Sequence, residues 1–161
     1  MQINWLQNGY FSAHDGNRLL PENTRHRPQI GYEATATSFY TLIMSDPDAP
    51  SVQSPIYREF VHWVVVNIPG NKIDEGETVV SYVGAGPPYG SGDHRYFFLL
   101  FQQKDKLSAN NVTLAKSFFK ARLGIRVCSW ALEQGFGLPV SLNGFVSGWS
   151  EPSTNSILAQ Y

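Results

Sequence analysis

Two histidines, one aspartate and a loop of glycines and prolines hold most of the chemical potential of this sequence. His62 and His94 each stand at or near the start of a strongly apolar run, residues 60–68 and 94–103. Asp46 opens the segment Asp46-Pro47-Asp48-Ala49-Pro50, and Gly84-Ala85-Gly86-Pro87-Pro88-Tyr89-Gly90-Ser91-Gly92 leads into His94. Imidazole N–H groups, backbone N–H groups and the Tyr96 hydroxyl are hydrogen-bond donors. An aspartate such as Asp46 that accepts one imidazole N–H orients the ring and leaves the other nitrogen for a ligand. Glycines such as Gly84 and Gly86, beside Pro87, let backbone approach a ligand closely, and turn N–H groups form nests for anions. If the two runs are neighbouring strands, both rings open onto one pocket walled by the two loops. That pocket suits anion capture without a fixed positive side chain. A phosphate, sulfate or carboxylate would fit, as in a phospholipid head group or a phosphorylated side chain.

Each residue also has a purely structural use. His62 reads equally as a satisfied core histidine and His94 as a turn cap, while Asp46 and Asp48 are the kind of residues that hydrogen-bond nearby backbone in tight turns. Two histidines and a carboxylate can make a facial metal triad. Cys128, however, is distant, and no second carboxylate adjoins either histidine. No metal or other cofactor is expected. Ser45 and Ser51 flank the proline loop outside any Gly-x-Ser-x-Gly elbow, and Asp46 and Asp48 lie too close on one loop to flank a glycosidic bond. A binding protein is the expectation, with a metal-dependent or hydrolytic enzyme as the remaining rival. Arg95 alternates away from His94 and Tyr96, and a guanidinium in an apolar strand needs a partner. Asp48 is the candidate.

The elements that must position these groups are legible as strands. Residues 39–45 are rich in β-branched and aromatic side chains and empty into the proline loop, where each proline restricts itself and its predecessor. The run 60–68 is apolar on both faces, as a covered central strand requires. A period of two puts Phe60, His62, Val64 and Val66 on one face and Val61, Trp63 and Val65 on the other. By the same rule His94, Tyr96, Phe98 and Leu100 oppose Arg95, Phe97, Leu99 and Phe101. Asp15-Gly16-Asn17 signals a hairpin turn, and residues 29–33 and 79–83 read as short strands. From 112 to 134, apolar residues recur at near-helical spacing, but Gly124 argues for a break. A shorter helix is expected from Ser129, as N-cap, to Gln134, with Gly135 as its stop. Residues 136–149 suggest one more strand region, and the chain from Glu151 should fray.

Composition bounds the partners. With 161 residues, one domain over 1–161 is expected, and a formal net charge of −1 leaves no broad positive field for nucleic acid or an anionic bilayer. Basic spots remain at Arg25-His26-Arg27 and between Lys116 and Arg126. A single cysteine rules out an internal disulfide and favours a reducing compartment. The N-terminus lacks a secretory pattern, and no run approaches the ~20 apolar residues of a membrane helix. A cytoplasmic protein without integral membrane association is the expectation.

Taken together, Asp46-Pro47-Asp48-Ala49-Pro50-Ser51, Tyr57-Arg58-Glu59-Phe60-Val61-His62-Trp63 and Gly84-x-Gly86-Pro87-Pro88-x-Gly90-x-Gly92-x-His94-Arg95-Tyr96 resemble the signatures of the phosphatidylethanolamine-binding protein family, which includes the Raf kinase inhibitor proteins and the plant florigens. The resemblance implies an all-β dominated fold, a β-sandwich of antiparallel sheets with short peripheral helices. It implies a small anion pocket at Asp46, Pro50, His62, Gly86, His94 and Tyr96, with Ala49 and Phe60 at its rim. Phosphate-bearing head groups, and kinases or proteases as protein partners, come with it. Phe60 stands where many animal members have tryptophan and Val61 where many have histidine. After Trp149 the usual C-terminal lid helix gives way to Ser150-Glu151-Pro152-Ser153-Thr154-Asn155. The function expected is a regulatory protein that recognises a phosphate-type group and modulates kinase signalling. The alternative is a protease or kinase inhibitor working through a surface outside the pocket.

Overall fold

Apolar runs bounded by proline and glycine become the strands of two antiparallel sheets. A computed structural model describes residues 1–7, 9–108 and 119–151. Its strands are β1 (Gln2–Trp5), β2 (Phe11–Ala13), β3 (Gln29–Gly31), β4 (Phe39–Asp46), β5 (Phe60–Pro69), β6 (Glu77–Val80), β7 (His94–Gln103) and β8 (Ser141–Ser147), with one helix, α1 (Val127–Glu133). The larger sheet has the order β6-β5-β4-β7-β8 and the smaller β2-β1-β3. Ile3, Trp5 and Ala13 of the small sheet pack on Leu42, Met44, Trp63, Phe98 and Phe145. The opposite face of the large sheet, with Ile43, Val64, Val66 and Phe101, is covered by Val127, Trp130 and Ala131 of α1 and by Phe136. Burial on both faces is why β4, β5 and β7 read as nearly continuous apolar runs. The fold is a β-sandwich, with one short α-helix among the described residues, as the family resemblance implies.

The two histidine-bearing strands are not neighbours. β4 lies between β5 and β7 and is antiparallel to both. The C-terminal end of β4 therefore meets the starts of β5 and β7, and Asp46 sits between the histidines because of that topology. A second difference concerns the face His62 occupies. Met44 pairs with Trp63 but Ser45 with Val61, which leaves His62 as the extra residue of a β-bulge. A bulge shifts the alternation by one position. Val61 joins Val64 and Val66 on the helix-covered face, while the His62 ring turns to the other side, 5.2 Å from Tyr96. On β7 the alternation is undisturbed, and Tyr96, Phe98 and Leu100 oppose Leu99 and Phe101.

Other elements differ in detail. α1 begins at Val127 rather than after Ser129, because the Glu59 carboxylate accepts the Val127 N–H at 3.3 Å and serves as its cap. Gly135 ends the helix at φ +74°, as expected. Asp15 and Gly16 form a turn with positive φ, closed by Asn17 N–H to the His14 carbonyl. It does not make a hairpin. Residues 16–19 instead bond along the outer edge of β8 at Gly144 and Val146, covering an otherwise open strand. β6 ends at Val80, earlier than expected, where the Arg122 side chain takes over the Ser81 carbonyl. The C-terminal strand region narrows to β8. The expected fraying beyond Glu151 and the replaced C-terminal helix lie outside the described residues from 152 onward, as does much of the ambiguous stretch, residues 109–118. No helix among the described residues is long and apolar enough to cross a membrane.

Candidate functional site

A cavity of about 200 Å³ opens at the end of the large sheet where β4 finishes and β5 and β7 begin. Its lining brings together Asp46, Ala49 and Pro50 from the proline loop, Phe60 and His62 from β5, Gly84 and Gly86 from the glycine loop, and His94 and Tyr96 from β7. Pro87 is buried and does not line it; its neighbour Pro88 does, with Tyr57, Val83 and Leu123. Sequence reasoning missed those last three, which are contributed by loops with no chemical signature. The walls are largely apolar, and the polar atoms gather where His62, His94, Asp46 and Tyr96 meet.

The proline loop is rigid by hydrogen bonding as well as by ring constraint. Asp46 Oδ1 accepts the Asp48 N–H at 2.7 Å. Asp48 is buried and accepts from Arg95 Nε at 2.8 Å, Arg95 Nη2 at 2.7 Å and the Arg95 backbone N–H at 3.0 Å. Burial alone would raise the Asp48 pKa, but the Arg95 hydrogen bonds outweigh it and hold the carboxyl below its ordinary value. The pairing of Asp48 with Arg95 is the one the sequence pointed to.

Asp46 does orient a histidine, and that histidine is His94. The His94 ring is 1% exposed, with Nδ1 2.7 Å from Asp46 Oδ2 and Nε2 3.0 Å from Ser91 Oγ. Ser91 Oγ also lies 2.7 Å from the Pro88 carbonyl oxygen, which only accepts, so the hydroxyl proton is spent there. Nε2 therefore donates to Ser91, and a single further proton sits between Nδ1 and Asp46. The pair is neutral as a unit. Burial pushes the Asp46 carboxyl up, against the hydrogen bonds from His94 and Asp48. Ser91, His94 and Asp46 have the connectivity of an acyl-transfer triad. The Ser91 hydroxyl, however, donates to Pro88 rather than to His94, and it is buried outside the cavity lining. It is built as a brace, not as a nucleophile.

His62 is held differently. Its Nδ1 lies 2.8 Å from the Val83 carbonyl oxygen, so in the neutral ring that nitrogen carries the proton and Nε2 the lone pair. Burial, with a smaller push from Arg122, lowers its pKa to about 4 against the opposing pull of the Val83 carbonyl. Burial and then the Asp46 carboxylate push the Tyr96 hydroxyl well above its ordinary value, which keeps it a neutral donor. The glycine loop is close-packed at Gly84, where an added Cβ would meet the Thr24 carbonyl oxygen at 2.4 Å. Gly84→Ala is expected to lower stability by about 1–3 kcal/mol through backbone displacement, read as a drop in urea midpoint; an unchanged midpoint would show that the loop yields.

A wider groove of about 830 Å³ lies elsewhere, between Asn4, Arg27, Ile30 and the segment from Asn71 to Glu75. Its charges are already paired, Arg27 with Asp74 and Lys72 with Glu75, and Arg27 also stacks over Trp63 at 5.6 Å. No group of three metal-ligating side chains comes together among the described residues.

Comparison with known proteins agrees with this architecture. A solved carboxypeptidase Y inhibitor, in complex with its cognate proteinase, is 27% identical with a TM-score of 0.76, over 92% of this chain and 82% of that one. A phosphatidylethanolamine-binding protein from Plasmodium vivax shares the fold at 23% identity and a TM-score of 0.72, over 92% and 84%. A Drosophila melanogaster protein, provisionally named odorant-binding protein A5, is 36% identical over 137 residues, 85% of this chain. The chain spans 65% of that relative's length. Residues 9–135 match the family description Phosphatidylethanolamine-binding protein. With that match spanning most of the chain, and with both signature loops walling one cavity, the protein belongs to the phosphatidylethanolamine-binding protein family.

Proposed function

We propose that the cavity binds a phosphate-type anion, free or carried by a phospholipid head group or a phosphorylated partner. On this reading the chain is a single-domain, cytoplasmic regulatory protein that modulates a kinase or protease and catalyses no reaction. The observation that carries the reading is the convergence of the Tyr96 hydroxyl, the Gly84–Gly86 backbone and His62, whose Nε2 becomes a donor on taking a proton, on one small cavity whose wall His94 braces. Apolar walls from Ala49, Phe60, Val83 and Leu123 lower the local polarity, which strengthens each hydrogen bond made inside. The free, exposed Cys128 suits a reducing compartment.

Calorimetric titration with inorganic phosphate and with phosphoethanolamine tests this. Tyr96→Phe removes one donor and should weaken binding about fivefold, or ~1 kcal/mol. No heat with either ligand would overturn the reading. Similarity to a proteinase-bound carboxypeptidase inhibitor favours a second reading, inhibition through an outer surface. Carboxypeptidase inhibition that survives both Tyr96→Phe and His62→Gln would support it.

A further inference from the structure

Arg122 is a buried cation that the anion-binding reading leaves unused. It is 4% exposed and belongs to the 3-10 turn Phe119–Arg122, directly before the cavity residue Leu123. Its Nη1 donates to the carbonyls of Val61 at 3.2 Å, His62 at 3.1 Å and Ser81 at 2.9 Å. The His62 carbonyl also accepts the Val83 N–H at 3.0 Å, so the guanidinium ties the β5 bulge to the segment that follows β6. That accounts for its position but not for its charge. Among the described residues no carboxylate forms an ion pair with it. Burying a guanidinium against carbonyls alone is costly unless a counter-ion is near.

The groups facing His62 show where that counter-ion belongs. Tyr96 packs edge-on to the His62 ring, and His94 and Asp46 line the same cavity. Tyr96 is a neutral phenol, the Asp46–His94 pair shares one proton, and His62 is neutral. Among the described residues Arg122 is then a buried cation beside the cavity with no carboxylate partner, while the Glu59 carboxylate next to Phe60 is held by the Ser45 hydroxyl and the Val127 N–H and Asp48 is shared by Arg95 and Arg58. We propose that Arg122 is the electrostatic counter-charge of the cavity, a positioning residue that attracts the anion through the His62 segment without touching it. This rests on the anion-binding reading above and refines its ligand. A singly charged phosphate-type group balances the Arg122 charge. A doubly charged one adds a second negative charge, which favours a proton at His62 Nε2.

The test combines two measurements on the full chain. The His62 ring is titrated by NMR without ligand, and inorganic phosphate binding is measured by calorimetry in two buffers of different ionisation heat. Arg122→Gln should raise the His62 pKa from about 4 towards its ordinary value and weaken phosphate binding at least tenfold. Arg122→Lys keeps the charge and should stay within about threefold of the parent. A Gln variant that leaves the His62 titration unchanged overturns the counter-charge role even if the parent binds phosphate. A parent that binds no phosphate, while the Gln variant still shifts His62, overturns the anion-binding reading and not the field of Arg122. Should the Gln chain fail to fold, the Lys chain decides. Folded and binding supports the role of charge; folded without binding refutes it.

Discussion

His94→Ala is expected to remove about 3–5 kcal/mol of stability and to abolish phosphate binding with it. The substitution leaves the Asp46 carboxylate buried without its partner, and breaking one side of a buried pair carries a cost of that size. It also frees Ser91, whose hydroxyl then lacks the imidazole donor. Urea unfolding of His94→Ala, Asp46→Asn and the double variant measures the pair directly. The double variant should be less damaged than the sum of the singles by about 1–3 kcal/mol, as groups in one hydrogen-bonded unit show. Additive losses would mean that the two residues act independently and that the shared proton is a fiction. Because His94 supports the fold, its removal cannot separate a pocket-dependent function from a surface-dependent one. Tyr96→Phe is the cleaner probe.

Acid should weaken the protein through His62, against a smaller opposing contribution from Asp46, whose carboxyl burial pushes up in the folded chain. His62 has an ordinary value of 6.5 when unfolded and about 4 when folded. Above pH 6.5 neither state binds the proton, and the effect is absent. As pH falls from 6.5 to 4 the unfolded chain takes the proton and the folded chain does not, so stability declines by ~3 kcal/mol in all. Asp48, held below its ordinary value, adds a further loss only as pH falls below 3.8 through its folded value. Sulfate separates this effect from ligand ionisation because it remains a dianion throughout. Its binding should tighten as pH falls towards 4, by up to about tenfold per pH unit, since each bound dianion brings a proton to His62. Urea midpoints that stay level between pH 7 and pH 4.5, or sulfate affinity independent of pH, would show that His62 is not buried neutral.

Much of the site was legible because its chemistry is local. The clamp of prolines around Asp46 and Asp48, the glycine loop and the partnership of Arg95 with Asp48 follow from residue types and a side-chain period of two. His62 defeated the same arithmetic. A bulge is one residue added against a partner strand, and nothing in residues 60–68 records what β4 offers across the ladder. Ser91 was visible three positions before His94, but its hold on Nε2 depends on how the loop folds back to the Pro88 carbonyl. Arg122 was legible only as part of the basic spot between Lys116 and Arg126, and its burial was not, since its three acceptors come from Val61, His62 and Ser81, distant in the chain.

The main strands, the two constrained loops and the family signatures are written in the residue order, because propensity, alternation and proline geometry act over a few residues. Which ring faces the cavity, which pair shares a proton and where the buried arginine lies come from the packing of distant segments. Those depend on β4 standing between β5 and β7 and on a bulge in their pairing. Burial and electrostatic fields are sums over neighbours in space, and the order of residues along the chain does not contain them.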